Sequence, residues 1–119
     1  MVAAMSSQDQ FYSSTLFPAT YLNALRFGWD QGCYVAAICA GPTVLADLGI
    51  TSGKKATCYP GCEGQMKDAI MDASAAVVRD GKLITGASAG CAIPFGLALV
   101  EALKGAEMAQ KIAQQIVIR

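Results

Sequence analysis

Five cysteines carry the reactive groups of this 119-residue sequence, and one of them has a distinctive setting. Cys39 ends the apolar run 34–38 (YVAAI) and is followed directly by Ala40-Gly41-Pro42. A short, continuously apolar run is typical of a strand buried on both faces of a parallel sheet, and Pro is favoured in the first turn of a helix. The spacing predicts a nucleophile elbow, with Cys39 at the carboxyl end of a strand and the next helix aiming backbone N–H groups at its thiolate.

The thiolate is the reactive form of cysteine, so an elbow makes Cys39 a candidate nucleophile and a candidate site of oxidation. The alternative is that Cys39 is a small buried hydrophobic residue, as most unpaired cysteines are. We expect the remaining four cysteines to be core or near-core thiols. They are Cys33, Cys58, Cys62 and Cys91.

Composition excludes several classes of function. The sequence contains no histidine, which removes an internal Cys–His dyad and makes peptidase activity unlikely. Nine basic and nine acidic side chains cancel, so nucleic acid and anionic membranes are poor candidate partners. No CxxC pair or GxGxxG spacing occurs, and we predict neither a metal nor a cofactor. Scattered cysteines and the lack of a basic, then apolar leader predict a cytoplasmic protein.

The pattern along the chain predicts an α/β sandwich with a largely parallel sheet, because strands alternate with helices. Residues 1–17 have no hydrophobic period and are expected to form a loose arm, followed by a single domain over 18–119. An Asp80-Gly81 turn between two β-rich runs predicts a hairpin over 75–85. Helices are predicted over 18–32, 43–48, 63–71, 93–103 and 106–117, and further strands over 33–38 and 55–58.

Four stretches, in this order, resemble the ThiJ/PfpI superfamily, in the branch of the parkinsonism-associated deglycase. They are 35–42 (VAAICAGP), 55–61 (KATCYPG), 77–85 (VVRDGKLIT) and 92–105 (AIPFGLALVEALKG). The resemblance implies a flavodoxin-like fold, a dimer or another oligomer, and cofactor-independent glyoxalase or deglycase chemistry on reactive aldehydes or glycated adducts. It also implies that Cys39 is the nucleophile, that the Ala40 N–H donates to an oxyanion, and that Tyr59 stands where some members have histidine.

Two features of the family have no counterpart in the sequence. One is a glutamate on an early strand that approaches the cysteine, and the other is a Gly-Gly turn that completes the oxyanion pocket. The matching stretches therefore resemble the C-terminal portion of the family domain. We expect turnover by this chain to be impaired unless another chain complements it.

Three kinds of function remain open from the sequence. The first is aldehyde chemistry through a Cys39 thiolate. The second is a redox-sensing or chaperone-like role that depends on oxidation of Cys39 and requires no turnover. The third is a structural half-domain that needs a partner chain, since an unpaired sheet edge favours association.

Overall fold

The core of the protein is a four-stranded sheet with helices on both faces. The computed structural model describes residues 2–5, as backbone, and residues 19–118. The strands of the main sheet are β1 (Val2–Met5), β2 (Val35–Cys39), β5 (Val77–Asp80) and β6 (Leu83–Gly86). A smaller parallel pair consists of β3 (Lys55–Ala56) and β4 (Ile70–Met71). The helices are α1 (Ala19–Asp30), α2 (Gly41–Asp47), α3 (Ala92–Lys104) and α4 (Ala106–Gln115).

The strand order in the main sheet is β1-β2-β6-β5. β2 runs parallel to both of its neighbours, and β5 is antiparallel to β6. The predicted α/β sandwich with a largely parallel sheet is confirmed, since the one antiparallel strand lies at an edge. The predicted hairpin is also confirmed.

Alternation along β2 divides the core into two layers. Val35 and Ala37 pack with Leu25 of α1 and Leu45 of α2 on one face of the sheet. Ala36 and Ile38 pack on the other face, with Ile84 of β6 and Phe95 of α3. Because both faces of β2 are covered, the strand can consist of apolar residues without alternation, which is the pattern that predicted it.

Residues 2–5 differ from the loose arm predicted over 1–17. Val2–Met5 pairs in parallel with β2 across the register Val2↔Ala36 to Met5↔Cys39. A run of four residues is too short to show a strand period, and the pairing is with a distant part of the chain, so no local signal reveals it. The rest of the predicted arm lies outside the described residues.

The prediction of a helix over 63–71 is wrong. Only Glu63–Gln65 forms a helical turn, of the 3-10 type, and β4 follows. The Ile70 N–H donates to the Lys54 carbonyl at 2.8 Å, which is β pairing in place of a helical bond. Met66 is fully buried while Ile70 is 55% exposed, so the two residues do not share one packed face.

α4 packs against α3. Ala109 is its buried residue, while Met108 and Ile116 are exposed. Within residues 2–5 and 19–118, no helix is both long and apolar enough to span a membrane.

Candidate functional site

Cys39 occupies the junction that the sequence predicted. It is the last residue of β2, and α2 begins two residues later, with Pro42 in its first turn. Its φ angle is 66°, in the left-handed region that non-glycine residues rarely adopt. This strained turn between a buried strand and a helix is the backbone geometry of a nucleophile elbow, and it leaves Cys39 partly exposed.

The residue after the nucleophile is fixed by α2. Ala40 is fully buried and is the N-cap residue of the helix. Its carbonyl accepts hydrogen bonds from the Thr43 N–H at 3.1 Å and from the Thr43 hydroxyl at 2.6 Å. These two bonds hold the peptide that follows Ala40, at the start of α2. The Ala40 N–H, the expected oxyanion donor, belongs to the preceding peptide, which is held through the Cys39 carbonyl.

A backbone hydrogen bond brings Tyr59 to the elbow. The Tyr59 N–H donates to the Cys39 carbonyl at 2.8 Å. The Tyr59 ring is half-buried and packs against the core on the α1 and α2 side of the sheet. The backbones of Cys39, Ala40 and Tyr59 are thus adjacent, whereas the Cys39 side chain packs with the cluster on the other face of the sheet, the α3 side. The chemical role of each residue stays a prediction.

Buried threonines anchor the segment that carries Tyr59. The Thr57 N–H donates to the Thr85 hydroxyl of β6 at 2.9 Å, and both threonines are fully buried. A second tie runs from the Lys55 N–H to the Asp80 carboxylate at 2.9 Å. Two hydrogen bonds to the β5–β6 hairpin thus set how far β3 extends toward the carboxyl end of β2.

Two further thiols flank the turn whose first residue, Tyr59, donates to the Cys39 carbonyl. Cys58 and Cys62 are both buried on either side of the turn formed by Tyr59, Pro60 and Gly61. Burial, and then the charges of Cys62, Glu63 and Cys39, raise the pKa of the Cys58 thiol to about 12. Burial raises the pKa of Cys62 as well, with added contributions from the charges of Cys39 and Glu63. Both thiols are therefore held protonated at neutral pH beside the elbow.

Cys58 and Cys62 are core thiols, as predicted, but the sequence did not predict that the turn between them is bonded to Cys39. The available signal was their position on either side of the turn that contains Tyr59, which itself matched the family site. Cys33, expected in or near the core, is exposed instead, and Cys91 is partly buried near the Ser88 hydroxyl, 3.6 Å away.

Glu63 is the carboxylate nearest to this group along the chain. Its Oε2 atom accepts a hydrogen bond from the Gly61 N–H at 2.8 Å, so it stabilises the turn. Among the described residues, no group of three or more potential ligands is arranged to hold a metal ion. The site consists of thiols, backbone donors and one tyrosine.

The fold and the elbow define an α/β protein with a cysteine at the junction between β2, an interior strand of its sheet, and the helix that follows. The family model described as DJ-1/PfpI family matches residues 17–102. The chain belongs to the DJ-1/PfpI family.

Curated relatives show the same affiliation. The chain is 42% identical over 96 residues to protein dj-1beta of Drosophila melanogaster, an alignment that covers 79% of this chain and 51% of the relative. It is 38% identical over 87 residues to the Parkinson disease protein 7 homolog of Danio rerio, covering 71% and 46% of the two chains. The chain thus spans about half the length of these relatives.

Solved structures agree with the fold. The crystal structure of Drosophila melanogaster DJ-1beta superposes with a TM-score of 0.87 at 32% identity, covering 99% of this chain and 64% of that one. A structure of oxidized DJ-1 from Toxoplasma gondii gives a TM-score of 0.75 at 34% identity, covering 83% and 54%. The flavodoxin-like fold expected from the resemblance is confirmed.

Proposed function

We propose that this chain acts on small reactive aldehydes or on glycated adducts through a Cys39 thiolate, as a glyoxalase or deglycase. The observation that supports the proposal is the left-handed Cys39 at the end of β2, with Ala40 fixed behind it by Thr43. A side chain held in this backbone conformation projects from the sheet toward the solvent edge, where a small carbonyl compound can reach it.

The chemistry begins with addition to an α-oxoaldehyde such as methylglyoxal. The Cys39 sulfur forms a bond to the aldehyde carbon, and the carbonyl oxygen takes the displaced electron pair and then a proton, which gives a hemithioacetal. The Ala40 N–H stabilises the oxyanion. A proton shift between the two carbons converts the adduct to a thioester, and water then releases a 2-hydroxy acid and regenerates the thiolate.

The proton shift requires an acid–base group, and this step limits the rate of turnover by the chain. Glu63 is the carboxylate nearest to this site along the chain, and it is committed to the Gly61 N–H. We therefore infer that adduct formation outpaces turnover, and that a homo-oligomer or a complementing chain supplies the missing group. The proposed compartment is the cytoplasm, where reduced thiols persist.

Methylglyoxal trapping tests this proposal. The chain is incubated with methylglyoxal, the thiols that have reacted are located by their protection from a brief iodoacetamide pulse in peptide mass spectrometry, and formation of the 2-hydroxy acid is followed in parallel. We expect methylglyoxal to protect Cys39 in the unmodified chain and in Cys33→Ser, the matched control that removes the exposed thiol, and we expect the Cys39→Ser variant to form no 2-hydroxy acid. Equal protection of Cys33 and Cys39 would show that accessibility alone directs the reaction and would contradict the proposal.

We also propose a second function, oxidant sensing through Cys39. Cys39 is partly exposed, whereas Cys58 and Cys62 are buried and protonated, so a peroxide in solution meets Cys39 first at this site. The test is mass mapping after mild peroxide treatment. Oxygen addition at Cys39 before Cys58, Cys62 and Cys91 is expected, and equal oxidation of all four would contradict this function.

A further inference from the structure

The α3 face of the sheet contains a cavity at the end remote from Cys39. Its volume is about 370 Å³, and its wall includes Ala36, near the start of β2, whereas Cys39 is the last residue of that strand. At about 3.3 Å per residue along a strand, the two positions are roughly 10 Å apart. The cavity is therefore separate from the elbow, and its volume is in the range of small-molecule binding sites.

The walls of this cavity are apolar. Ala36 of β2 and Ile84 of β6 are partners in the sheet, and both are buried on the side that faces the cavity. The opposite wall is the C-terminal end of α3, and it consists of Leu99, Ala102 and Leu103. Leu103 is 64% exposed, so a hydrocarbon chain in the cavity would remove apolar surface from water.

Two cationic side chains flank Tyr34, which also lines the cavity. The Lys82 Nζ atom lies 5.4 Å from the centre of the Tyr34 ring, and the Arg79 guanidinium lies 5.7 Å from it. Lys82 also donates to the Gly32 carbonyl at 2.6 Å, and Arg79 donates to the Tyr34 hydroxyl at 3.3 Å. These contacts position both cations and leave further N–H groups on each of them for a ligand.

The charge around the mouth of the cavity is positive. The residues that line it include Lys82 and no acidic residue. Within residues 19–118, no ion pair involves Lys82 or Arg79. The carboxylate of Asp80, which follows Arg79 in the chain, accepts instead from the Lys55 N–H of β3. A negatively charged group is therefore favoured at this mouth.

We propose that this cavity binds a medium-chain carboxylate, with its hydrocarbon chain between α3 and the sheet and its carboxylate at Lys82 and Arg79. The apolar walls match the hydrocarbon chain, and hydrogen bonds between a cationic side chain and a carboxylate are stronger than those between neutral groups. A neutral alcohol of the same length would fill the same walls without using either charge. This binding site does not involve Cys39 and is additional to the proposed function.

Alkylation of Cys33 tests the proposal, because this exposed thiol also lines the cavity. The chain is titrated with octanoate or with 1-octanol and given a brief iodoacetamide pulse, and each alkylated cysteine is quantified by peptide mass spectrometry. We expect octanoate to slow the alkylation of Cys33 saturably, with an affinity about tenfold or more above that of 1-octanol. Cys91 is the internal control. It lies at the opposite end of α3 and should react at an unchanged rate.

Three variants locate the ligand. Lys82→Gln should weaken octanoate binding about tenfold, through loss of a charged hydrogen bond, and leave 1-octanol binding unchanged. Lys111→Gln is the matched control, since it removes the same charge from an exposed position on α4 and should change neither affinity. Ala102→Phe places a ring in the cavity and should abolish protection by both compounds. Circular dichroism checks its fold, and the two lysine variants decide the matter if it does not fold.

Several outcomes would overturn the proposal. If 1-octanol binds as tightly as octanoate, or if Lys82→Gln and Lys111→Gln bind octanoate equally, the cavity does not select a carboxylate. Equal slowing of Cys33 and Cys91, or full protection in a folded Ala102→Phe variant, would place the compound outside the cavity. An absence of saturable protection would show that there is no site. Cys39→Ser should bind octanoate unchanged, so the result is independent of the proposed aldehyde chemistry.

Discussion

At the scale of single residues, the backbone of Cys39 adopts a left-handed conformation, which is strained for a residue with a Cβ atom. A φ angle of 66° costs a residue with a Cβ atom about 1–2 kcal/mol relative to glycine. Ala40, the next residue, has an ordinary right-handed conformation, with φ at −84°. The two neighbours should therefore respond in opposite directions to the same substitution.

We predict that Cys39→Gly is more stable than Cys39→Ala by about 1 kcal/mol, because glycine adopts the left-handed conformation without strain. Ala40→Gly is the matched control and should lose about 1–2 kcal/mol relative to the unmodified chain, since it gains backbone entropy in the unfolded state and loses a buried methyl group. Urea denaturation measures both differences. A Cys39→Gly variant no more stable than Cys39→Ala would mean that the elbow carries no strain.

The buried thiol of Cys58 makes stability depend on pH. Its pKa is about 12 in the folded protein, against 9.0 for an unperturbed thiol, so the unfolded state releases this proton first. The stability that the protonated thiol contributes is complete below about pH 9 and is lost as the pH rises toward about 12.

We predict that Cys58→Ala loses less of its free energy of unfolding than the unmodified chain between about pH 8 and pH 10.5, by roughly 1–2 kcal/mol. Urea titrations at both pH values give the two losses, and the variant itself serves as the control for lysine and tyrosine titration. Equal losses in the two proteins would contradict the raised pKa.

At the scale of elements, the packing of α3 against the end of β6 requires a glycine, Gly86, at the last position of the strand. A Cβ atom at Gly86 would lie 2.9 Å from the Phe95 ring of α3 and 3.0 Å from the Ile38 side chain of β2. The absence of a Cβ atom thus lets α3 approach the sheet next to the elbow. At Gly96, the residue after Phe95, a Cβ atom would lie in open space.

We predict that Gly86→Ala destabilises the protein by about 1–3 kcal/mol, because the methyl group overpacks the contact between α3 and the sheet. Gly96→Ala should instead stabilise it by about 0.5–1 kcal/mol, through better helix propensity. Thermal unfolding compares the two. Combining Gly86→Ala with Phe95→Leu should cost less than the sum of the single changes, and strict additivity would show that the ring is not what the methyl group meets.

The elements that the sequence predicts well are those whose signals are local. The apolar run before Cys39, the prolines at 42 and 94 and the glycines at 49 and 105 define β2, α2 and α3 within a few residues. The hairpin was placed correctly, but its two-residue loop is Gly81-Lys82, because Asp80 pairs with Leu83. Within this loop Gly81 has a positive φ angle and Lys82 does not. This matches a type II′ turn, in which glycine occupies the first central position.

The elements that it predicts poorly depend on distant partners. β1 and β4 exist because they pair with β2 and β3, and two to four residues carry no period of their own. The same limit applies to the site. Cys39 and its elbow lie in one continuous stretch of sequence. The approach of Tyr59 depends instead on its hydrogen bond to the Cys39 carbonyl and on the bond between Thr57 and Thr85.

At the scale of the whole molecule, the exposed apolar surface is concentrated on the layer formed by α3 and α4. Most of the large exposed apolar side chains in the described part of the chain lie on α3, on α4 or just after α4. They are Ile93, Leu103, Met108, Ile116, Val117 and Ile118. Ile93 and Ile116 also line a shallow apolar cavity of about 290 Å³ between these helices. With a net charge of zero, the chain has little electrostatic repulsion to oppose contact through this layer.

We predict that the chain self-associates through the α3 and α4 layer, and that Ile116→Lys weakens association by about tenfold or more, because it places a charge in an apolar contact. Phe27→Lys is the matched control. It adds the same charge at a side chain that is 67% exposed on α1, in the opposite layer, and should leave the association unchanged. Sedimentation velocity over a range of protein concentrations measures both. The prediction would be contradicted by a chain that stays monomeric at every concentration, or by one that Phe27→Lys dissociates and Ile116→Lys does not. Either result would show that the α3 and α4 layer is not the interface. The partner that completes the Cys39 site would then have to approach from the α1 side.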